Sequence, residues 1–322
     1  LTLSVTPDYL SPASGIKVYA LTSDNRVMLS DNSGRSWTPC MRGLPVDCIP
    51  VRIYTAGGKI YLASFSSGLF RLKNYEWESI NSDLFKRRSI YDKEPGYRKI
   101  SAFAADAGDE NNIVTATKHS IYRSRDGGLN WTEVPLNGLN RRNYITALAV
   151  AGKKIYAATS FNGIFVSGDK SFSSCGSGLP NEPYSDTLKF TEQISMLAVN
   201  NTYLYAGFSF GGGLYAKKHN EKNFSPVVFN VRKNIDVFIY DIQFKGKELF
   251  FTENSVIYRK ESDSPITEYS GYTEIITRIA GQKNIYSVTI LDEAGRLPTL
   301  SLRTAYPEKN RRSIAAADRN TL

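Results

Sequence analysis

Short apolar segments, most of them ending in an aromatic residue, recur along the chain in two series. The first series is Val18-Tyr19, Ile60-Tyr61, Ile113-Val114, Ile155-Tyr156, Leu204-Tyr205, Leu249-Phe250 and Ile285-Tyr286. The second follows about ten residues later, at Val27-Met28-Leu29, Leu69-Phe70, Ile121-Tyr122, Ile164-Phe165, Leu214-Tyr215, Val256-Ile257-Tyr258 and, more weakly, Leu300. Successive members of the first series lie 42, 53, 42, 49, 45 and 36 residues apart. A period in this range, with several short strands per unit, is typical of the blades of a β-propeller.

The pattern predicts an all-β chain that folds as a seven-bladed β-propeller of four-stranded blades, with six or eight blades as the alternative counts. The predicted inner strands lie at 51–54, 99–103, 144–150, 193–197, 237–240 and 274–276. The predicted blades span about 1–45, 46–83, 98–138, 144–180, 192–231, 235–270 and 272–318, within a single domain over 1–308. Residues 1–5 form either the inner strand of the first blade or a strand that completes the last. The polar segment 309–322 either completes the last blade or leads to a further domain.

Composition and charge limit the kinds of ligand site that the chain can contain. A net charge of +9 permits an anionic partner, although lysines and arginines spread over most of the chain also fit a solvated basic surface. The cysteines are Cys40, Cys48 and Cys175, the histidines are His119 and His219, and no CxxC occurs. We therefore expect no zinc framework, no other metal and no cofactor. Cys40 and Cys48 either form a disulfide in an exported protein or stay reduced. The chain has no apolar stretch of 18 residues, so we expect no transmembrane segment.

Two segments between predicted third and fourth strands share a turn motif. They are Ser30-Asp31-Asn32-Ser33-Gly34-Arg35-Ser36-Trp37 and Ser124-Arg125-Asp126-Gly127-Gly128-Leu129-Asn130-Trp131. Both resemble the Asp-box, or BNR repeat, with the pattern Ser-x-Asp-x-Gly-x-Thr-Trp, although Asn32 replaces the Asp and neither copy has Thr before Trp. An eroded copy contains Ser167 and Asp169. We expect these to be structural turns, in which Asp accepts backbone N–H groups, Gly adopts positive φ and Trp packs between blades. Their expected key residues are Ser30, Asn32, Gly34, Trp37, Ser124, Asp126, Gly128, Trp131, Ser167 and Asp169.

The resemblance to Asp-box propellers implies a setting and a role. The chain is similar to the propellers that precede a glycoside-hydrolase-like domain in exported bacterial proteins. It resembles photosystem II assembly propellers and sialidase-type propellers more loosely. This implies an extracytoplasmic protein, whether periplasmic, cell-surface or secreted. It also implies a part of a longer multidomain protein as one alternative. The missing initiator Met before Leu1 agrees with removal of a preceding segment.

Catalysis is the competing hypothesis, in the form of a glycoside hydrolase with its site in the central funnel. A sialidase-type site needs three arginines, a Tyr nucleophile with a Glu partner, and an Asp acid/base. No Arg precedes Arg26, and Asp236 and Asp241 lie in one unit without a carboxylate at a comparable position in an opposite unit. We therefore predict no catalytic residue and a recognition or scaffold function.

The predicted binding face consists of the loops between second and third strands and between blades, because these open on the same side of a propeller. Three of the first kind carry Ser-Phe, at Phe65, Phe161 and Phe210, with Asn162 beside the second. The other residues of the predicted face are Arg87, Arg88, Tyr91, Arg98, Arg141, Arg142, Tyr144 and Tyr184. We expect the arginines to contact an acidic polymer, glycan or protein, whereas nucleic acid is disfavoured because no nucleic-acid-binding motif accompanies the charge. Packing of the Phe residues against neighbouring blades and a solvated charge run are the structural alternatives.

Overall fold

The computed structural model describes residues 16–304, except 57, 82–83, 85–98, 141–143, 161–162, 181–193, 209–212, 228–238, 246, 254–255, 262–264, 281, 283 and 294–298. The described residues form an all-β propeller of six blades. Within the described residues the propeller begins with β1 (Ile16–Thr22), β2 (Val27–Ser30) and β3 (Thr38–Pro39), which belong to blade 1.

Blades 2 to 6 are four-stranded antiparallel sheets whose strands follow one another in chain order. Blade 2 contains β4 (Pro50–Ala56), β5 (Lys59–Ser64), β6 (Leu69–Lys73) and β7 (Glu76–Ser79), and blade 3 contains β8 (Ala102–Asp106), β9 (Asp109–Ala116), β10 (Ile121–Ser124) and β11 (Thr132–Val134). Blade 4 contains β12 (Ile145–Ala151), β13 (Lys154–Thr159), β14 (Gly163–Ser167) and β15 (Phe172–Ser174), and blade 5 contains β16 (Ile194–Val199), β17 (Tyr203–Phe208), β18 (Leu214–Lys218) and β19 (Ser225–Pro226). Blade 6 contains β20 (Ile239–Lys245), β21 (Glu248–Glu253), β22 (Val256–Glu261) and β23 (Thr267–Glu268), and α1 (Thr273–Ala280), β24 (Ile285–Asp292) and β25 (Leu300–Arg303) follow it.

Blade 1 is built from both ends of the described chain. Its five strands lie in the order β25-β24-β1-β2-β3, and β24 pairs antiparallel with β1 from Ile16 opposite Asp292 to Thr22 opposite Ile285. The prediction of seven blades was therefore wrong, and the alternative count of six is correct. Ile285-Tyr286 has the apolar-aromatic pattern of a second strand, but β24 occupies the first-strand position of blade 1.

A register shift supports this assignment of β24. In blades 2, 4, 5 and 6 the pairing of the first strand with the second skips one residue of the first strand. The same shift separates Leu21 from Thr22 in the pairing of β1 with β24, where the skipped residue is Tyr286. Such β-bulges bend the strand and redirect the side chain of the extra residue. The extra residues are Val51, Thr146, Ser195, Tyr240 and Tyr286, and all lie at the start of a first strand.

The helix α1 replaces the inner strand predicted at 274–276, which was wrong. Ile275 and Ile279 are buried four residues apart, so the apolar period here is that of a helix rather than a strand. Arg278 pairs with Glu274 at 2.6 Å within the helix and donates a hydrogen bond to the carbonyl of Ser33 in blade 1. The helix thereby packs between blades 6 and 1.

Six apolar clusters form the core, and each lies between two consecutive blades. Each also contains one residue at or next to the start of an outer strand, which we call the interblade residue. The six interblade residues are Trp37, Trp77, Trp131, Phe172, Phe224 and Ile266. The indole N–H of Trp77 donates to the carbonyl of Cys40 at 2.8 Å, and that of Trp131 donates to the carbonyl of Ile80 at 2.9 Å. The aromatic ring of one blade is thus anchored to the outer strand of the preceding blade.

Two segments with the same sequence, Gly43-Leu44-Pro45 and Gly178-Leu179-Pro180, have a steric role at these interfaces. Gly43 and Gly178 both have φ near +85°, and a Cβ atom on either would lie within 2.5 Å of the carbonyl oxygen of the next interblade residue. Only glycine fits this approach without strain.

The turn Ser124–Trp131 is held by one carboxylate. Asp126 Oδ1 accepts hydrogen bonds from Ser124 Oγ at 2.7 Å, from the N–H of Leu129 at 3.0 Å and from the N–H of Asn130 at 2.9 Å. The N–H of Gly128 donates to Ser124 Oγ at 2.8 Å. Partial burial alone would raise the pKa of Asp126, but hydrogen bonds from Asn130, Ser124 and Leu129 lower it to about 2.

Asn32 replaces the carboxylate in the turn Ser30–Trp37. Its Oδ1 accepts hydrogen bonds from Ser30 Oγ at 2.9 Å and from the N–H of Ser36 at 2.9 Å. In the eroded copy, Ser167 Oγ instead accepts from the N–H of Ile155 and Asp169 is exposed. An amide oxygen therefore takes the place of the carboxylate as acceptor in this turn, whereas the third segment uses different bonds.

Replacement of Asp126 tests the contribution of this turn. We expect Asp126→Ala to lower the free energy of unfolding by about 1–2 kcal/mol, because several backbone and side-chain donors lose their acceptor. We expect Asp126→Asn to cost less than Asp126→Ala at pH 7, because an amide oxygen can still accept as that of Asn32 does, although the bond from the Asn130 amide to Oδ2 is lost. The lowered pKa makes the contribution of Asp126 complete above about pH 4 and lost as the pH falls towards 2.

Midpoints of urea unfolding, measured from pH 7 to pH 2.5 for the wild type and the Asp126 variants, test the contribution of the carboxylate. The wild type should lose stability faster than Asp126→Asn on the acid side of pH 4. Parallel acid profiles for the two proteins would contradict the role assigned to the carboxylate.

Candidate functional site

One end of the propeller carries two lysine–aromatic pairs. Because the strands of each blade are antiparallel, the loops between second and third strands and those between blades lie at the same end. We call six described residues at this end the rim. They are Ile49, Phe65, Lys99, Lys118, His119 and Tyr144. They belong to blades 2, 3 and 4 and the connections that precede them.

Phe65 and Lys99 form the first pair. Phe65 follows β5, is half-buried, and has the Lys99 ammonium 5.3 Å from its ring centroid. The N–H of Phe65 donates to the carbonyl of Ile49 at 2.9 Å, and Ile49 is an exposed apolar side chain. Phe65 is therefore half-buried on the rim, in contact with Lys99 from the connection to blade 3.

Lys118 and Tyr144 form the second pair. The Lys118 ammonium lies 4.1 Å from the centroid of the Tyr144 ring, and the His119 ring meets the same ring edge-on at 5.2 Å. Backbone bonds fix the group: the N–H of Ile145 donates to the carbonyl of Lys118, and the N–H of Ser160 donates to that of Tyr144. A cation held against an aromatic face in this way is attracted by the ring quadrupole.

A backbone hydrogen bond also fixes the first pair. The N–H of Ile100, next to Lys99, donates to the carbonyl of Ser64, next to Phe65, at 3.4 Å. Each pair therefore bridges two neighbouring blades.

Only part of the predicted binding face can be located. Phe65 and Tyr144 lie on the rim, although neither is in direct contact with the other. The remaining predicted residues lie outside the described part of the chain: Arg87, Arg88, Tyr91, Arg98, Arg141, Arg142, Phe161, Asn162, Tyr184 and Phe210. Sequence analysis missed Lys99 and Lys118. Their position beside strand ends was the available signal.

Arg52 lies at the mouth of the central channel, near the start of β4. Its guanidinium donates to the carbonyl of Tyr240 at 2.7 Å and lies 3.5 Å from Asp241 Oδ1. The ring centroids of Tyr54 and Tyr240 are 5.3 and 4.8 Å from its Cζ. The side chain is 16% exposed, and its Nε has no hydrogen-bond partner among the residues that the structure describes.

Asp241 connects this cluster to the closing strand. Its Oδ2 accepts from the N–H of Ser301 in β25 at 2.8 Å, and its Oδ1 accepts from the N–H of Ile242 and the amide of Gln243. Burial raises the pKa of Asp241, and Arg52 together with the Ser301 N–H counteracts this. The carboxylate that appeared unmatched in the sequence thus pairs with an arginine two blades away. With both oxygens engaged, it holds β25 rather than offering a free acid or base.

The bulge residues tie the blades together around the same mouth. Tyr286 Oη donates to the carbonyl of Pro50 at 3.0 Å, and Tyr240 Oη is 3.0 Å from Ser287 Oγ. Each hydroxyl reaches from one blade to the next. The mouth is therefore lined by a cation, aromatic rings and oriented hydroxyl groups, which suit polar and anionic groups better than apolar ones.

The described residues offer neither a metal site nor a membrane-spanning helix. They contain no group of three or more His, Cys, Asp or Glu side chains that could hold a metal ion. No helix among them has the length and apolarity needed to cross a bilayer.

The comparison with known proteins rests on fold. No family model and no curated protein matches the chain. The structure of YCF48 bound to D1 peptide is 13% identical, with a TM-score of 0.50 over 91% of this chain and 93% of that one. YCF48 from Cyanidioschyzon merolae is 15% identical, with a TM-score of 0.50 over 73% and 76%. The extracellular domain of the one-component system BT4673 from B. thetaiotaomicron is 13% identical, with a TM-score of 0.48 over 80% of this chain and 33% of that one.

A double-mutant cycle tests the Arg52–Asp241 pair. We expect Arg52→Met and Asp241→Asn each to lower the free energy of unfolding by roughly 3 kcal/mol, because each leaves its partner buried without a counter-charge. The double variant should lose at least about 1 kcal/mol less than the two single losses together. Urea unfolding supplies all four values, and strictly additive losses would contradict direct coupling.

Proposed function

We propose that the chain is a non-catalytic binding propeller that recognises a polypeptide carrying acidic side chains, through the rim and the channel mouth. The observation that carries the proposal is the presence of two lysine–aromatic pairs at one end of consecutive blades. Each pair offers a positive charge and an apolar ring within one contact distance. A peptide that presents a carboxylate next to an apolar side chain matches this combination.

The charge of the chain supports an acidic partner. A net charge of +9 raises the encounter rate with anionic molecules, and the Nε–H of Arg52, which has no partner among the described residues, leaves a hydrogen-bond donor at the channel mouth. The predicted residues Arg87, Arg88, Arg98, Arg141 and Arg142, with Tyr91 and Tyr184, remain part of the proposed face as a prediction. So do Phe161, Asn162 and Phe210.

Similarity of fold supports a polypeptide in preference to a glycan. YCF48, whose fold this chain resembles, has been solved in complex with a D1 peptide. We also infer that the chain belongs to the Asp-box class, since the turns at Ser30–Trp37 and Ser124–Trp131 make the hydrogen bonds expected of it. An extracytoplasmic location stays a prediction, as do an acidic polymer or glycan as ligand.

Removal of the two rim lysines tests the proposal. The probe is the acidic copolymer poly(Glu,Tyr), with polygalacturonate as the polysaccharide counterpart. We expect Lys99→Ala/Lys118→Ala to weaken copolymer binding by about tenfold at low salt, because each lysine contributes roughly 0.5–1 kcal/mol. The dependence of affinity on salt should become weaker in this variant. Phe65→Ala and Tyr144→Ala should weaken binding at all salt concentrations.

The matched control is Lys153→Ala/Lys154→Ala, which removes the same charge from two exposed lysines at the opposite end of blade 4. Its copolymer affinity should stay within about twofold of the wild type. Equal losses in the two double variants would mean that net charge alone attracts the copolymer and would overturn the rim as the site. Tighter binding of polygalacturonate than of poly(Glu,Tyr) would replace the polypeptide by a glycan.

A further inference from the structure

The interface between blades 5 and 6 differs from the other five. At each of those five the interblade residue is Trp or Phe, and all three tryptophans of the chain are used in this way. Trp77, Trp131, Phe172 and Phe224 are all at most 7% exposed. At the sixth interface the interblade residue is Ile266, which is only partly buried.

The equivalence of Ile266 with the aromatic residues follows from backbone hydrogen bonds. Three residues after Trp77 the N–H of Ile80 donates to Leu69, and three after Phe224 the N–H of Val227 donates to Leu214. Three residues after Ile266 the N–H of Tyr269 donates in the same way to Ile257. Ile266 therefore stands where an aromatic ring stands elsewhere.

Two of the aromatic residues bring a donor to a fixed place. The indole groups of Trp77 and Trp131 donate to carbonyls of the preceding blade, at Cys40 and Ile80. Where the residue is Phe224, Lys217 supplies the donor instead: its ammonium lies 5.2 Å from the ring centroid and donates to the carbonyl of Cys175 at 2.8 Å. At the blade 5–6 interface the corresponding carbonyl is that of Val227, and the side chain of Ile266 carries no donor.

A cleft of about 390 Å³ is present at this interface. Tyr203, Val227 and Ile266 form its apolar lining, and Lys218, Glu221 and Lys260 form its polar lining. Tyr203 belongs to a ladder of rings, 5.7 Å from Tyr205, which is itself 5.7 Å from Phe244. The volume lies at the lower end of the range for ligand sites, which suits one large side chain.

The polar lining of the cleft favours a ligand in which the large side chain is flanked by acidic residues. The carboxylate of Glu221 accepts the backbone N–H of Lys218 at 3.1 Å, so it is engaged with its own turn. Lys218 and Lys260 line the cleft together with Glu221, so its charged lining carries a net positive charge. A tryptophan flanked by Glu or Asp would bury its ring and match this net charge.

We propose that this cleft is a binding slot for a tryptophan side chain of a partner polypeptide, flanked by acidic residues. The slot opens beside Tyr203, which follows the turn between first and second strands. It therefore lies at the end opposite the rim and does not rest on the function proposed for the rim. The indole fills the interblade position from outside, and its N–H is directed at the carbonyl of Val227.

The test combines a peptide with variants of one residue. The probe is the pentapeptide Ac-Glu-Glu-Trp-Glu-Glu-NH₂, with Ala in place of Trp as the control peptide. Ile266→Trp fills the slot from within the chain. We expect it to raise the melting temperature by about 2–4 °C and to weaken peptide binding at least about tenfold. Ile266→Ala enlarges the slot, so it should lower the melting temperature and still bind the peptide.

The remaining variants separate binding in the slot from attraction by net charge. Lys218→Ala and Lys260→Ala should each weaken binding severalfold without raising the melting temperature, whereas the exposed pair Lys153→Ala/Lys154→Ala should leave the pentapeptide affinity within about twofold of the wild type. A lower melting temperature for Ile266→Trp would overturn the inference, because the cleft would then not accept an indole. Unchanged peptide affinity in Ile266→Trp, equal affinity for the Ala control peptide, or no binding to the wild type at about 1 mM would also overturn it.

Discussion

The pairing of β1 with β24 is the interaction on which the rest of the propeller depends. Each blade is a thin sheet that buries its two faces against its two neighbours, so every apolar cluster needs two blades. Blade 1 contributes to two of the six clusters, and it has its first strand only because residues 285–292 return to residues 16–22. Without this pairing the clusters at both faces of blade 1 would lose part of their lining, and β1 would present an unpaired edge.

The channel mouth shows how this closure reaches the candidate site. Arg52 of blade 2 and Asp241 of blade 6 meet across blade 1, and Asp241 also accepts the N–H of Ser301 in β25. The Arg52 guanidinium at the channel mouth is thus held in place through Asp241 by β25, which belongs to the sheet that closes the ring. The rim is held similarly, since its lysine–aromatic pairs lie on loops joined by backbone bonds between neighbouring blades. Rigid loops of this kind lose little conformational freedom when they bind a ligand.

Periodicity was sufficient to predict the fold class, but not the number of blades. Apolar pairs identify a strand without showing which position of a blade it fills, so Ile285-Tyr286 was counted as the start of a seventh unit. A second signal was available: Trp37, Trp77, Trp131, Phe172 and Phe224 recur once per blade at the start of the outer segment. Arg52 and Asp241 are 189 positions apart, and nothing local indicates their contact. Most of the predicted arginines fall on connections between blades, where sequence predicts charge but not placement.

The closing sheet also has a consequence for the time course of folding. Strand β1 can pair with β24 only after Asp292 has been synthesised, 276 positions after Ile16. At about 5–20 residues per second, synthesis of the intervening chain takes on the order of tens of seconds. Pairing over such a sequence separation is slow in any case, because the entropy of loop closure is lost before the stabilising contacts form. The first three strands therefore emerge from the ribosome with one edge unprotected, and blades 2 to 5 can assemble long before the ring exists. A factor that shields an exposed strand edge would act on this protein during that interval.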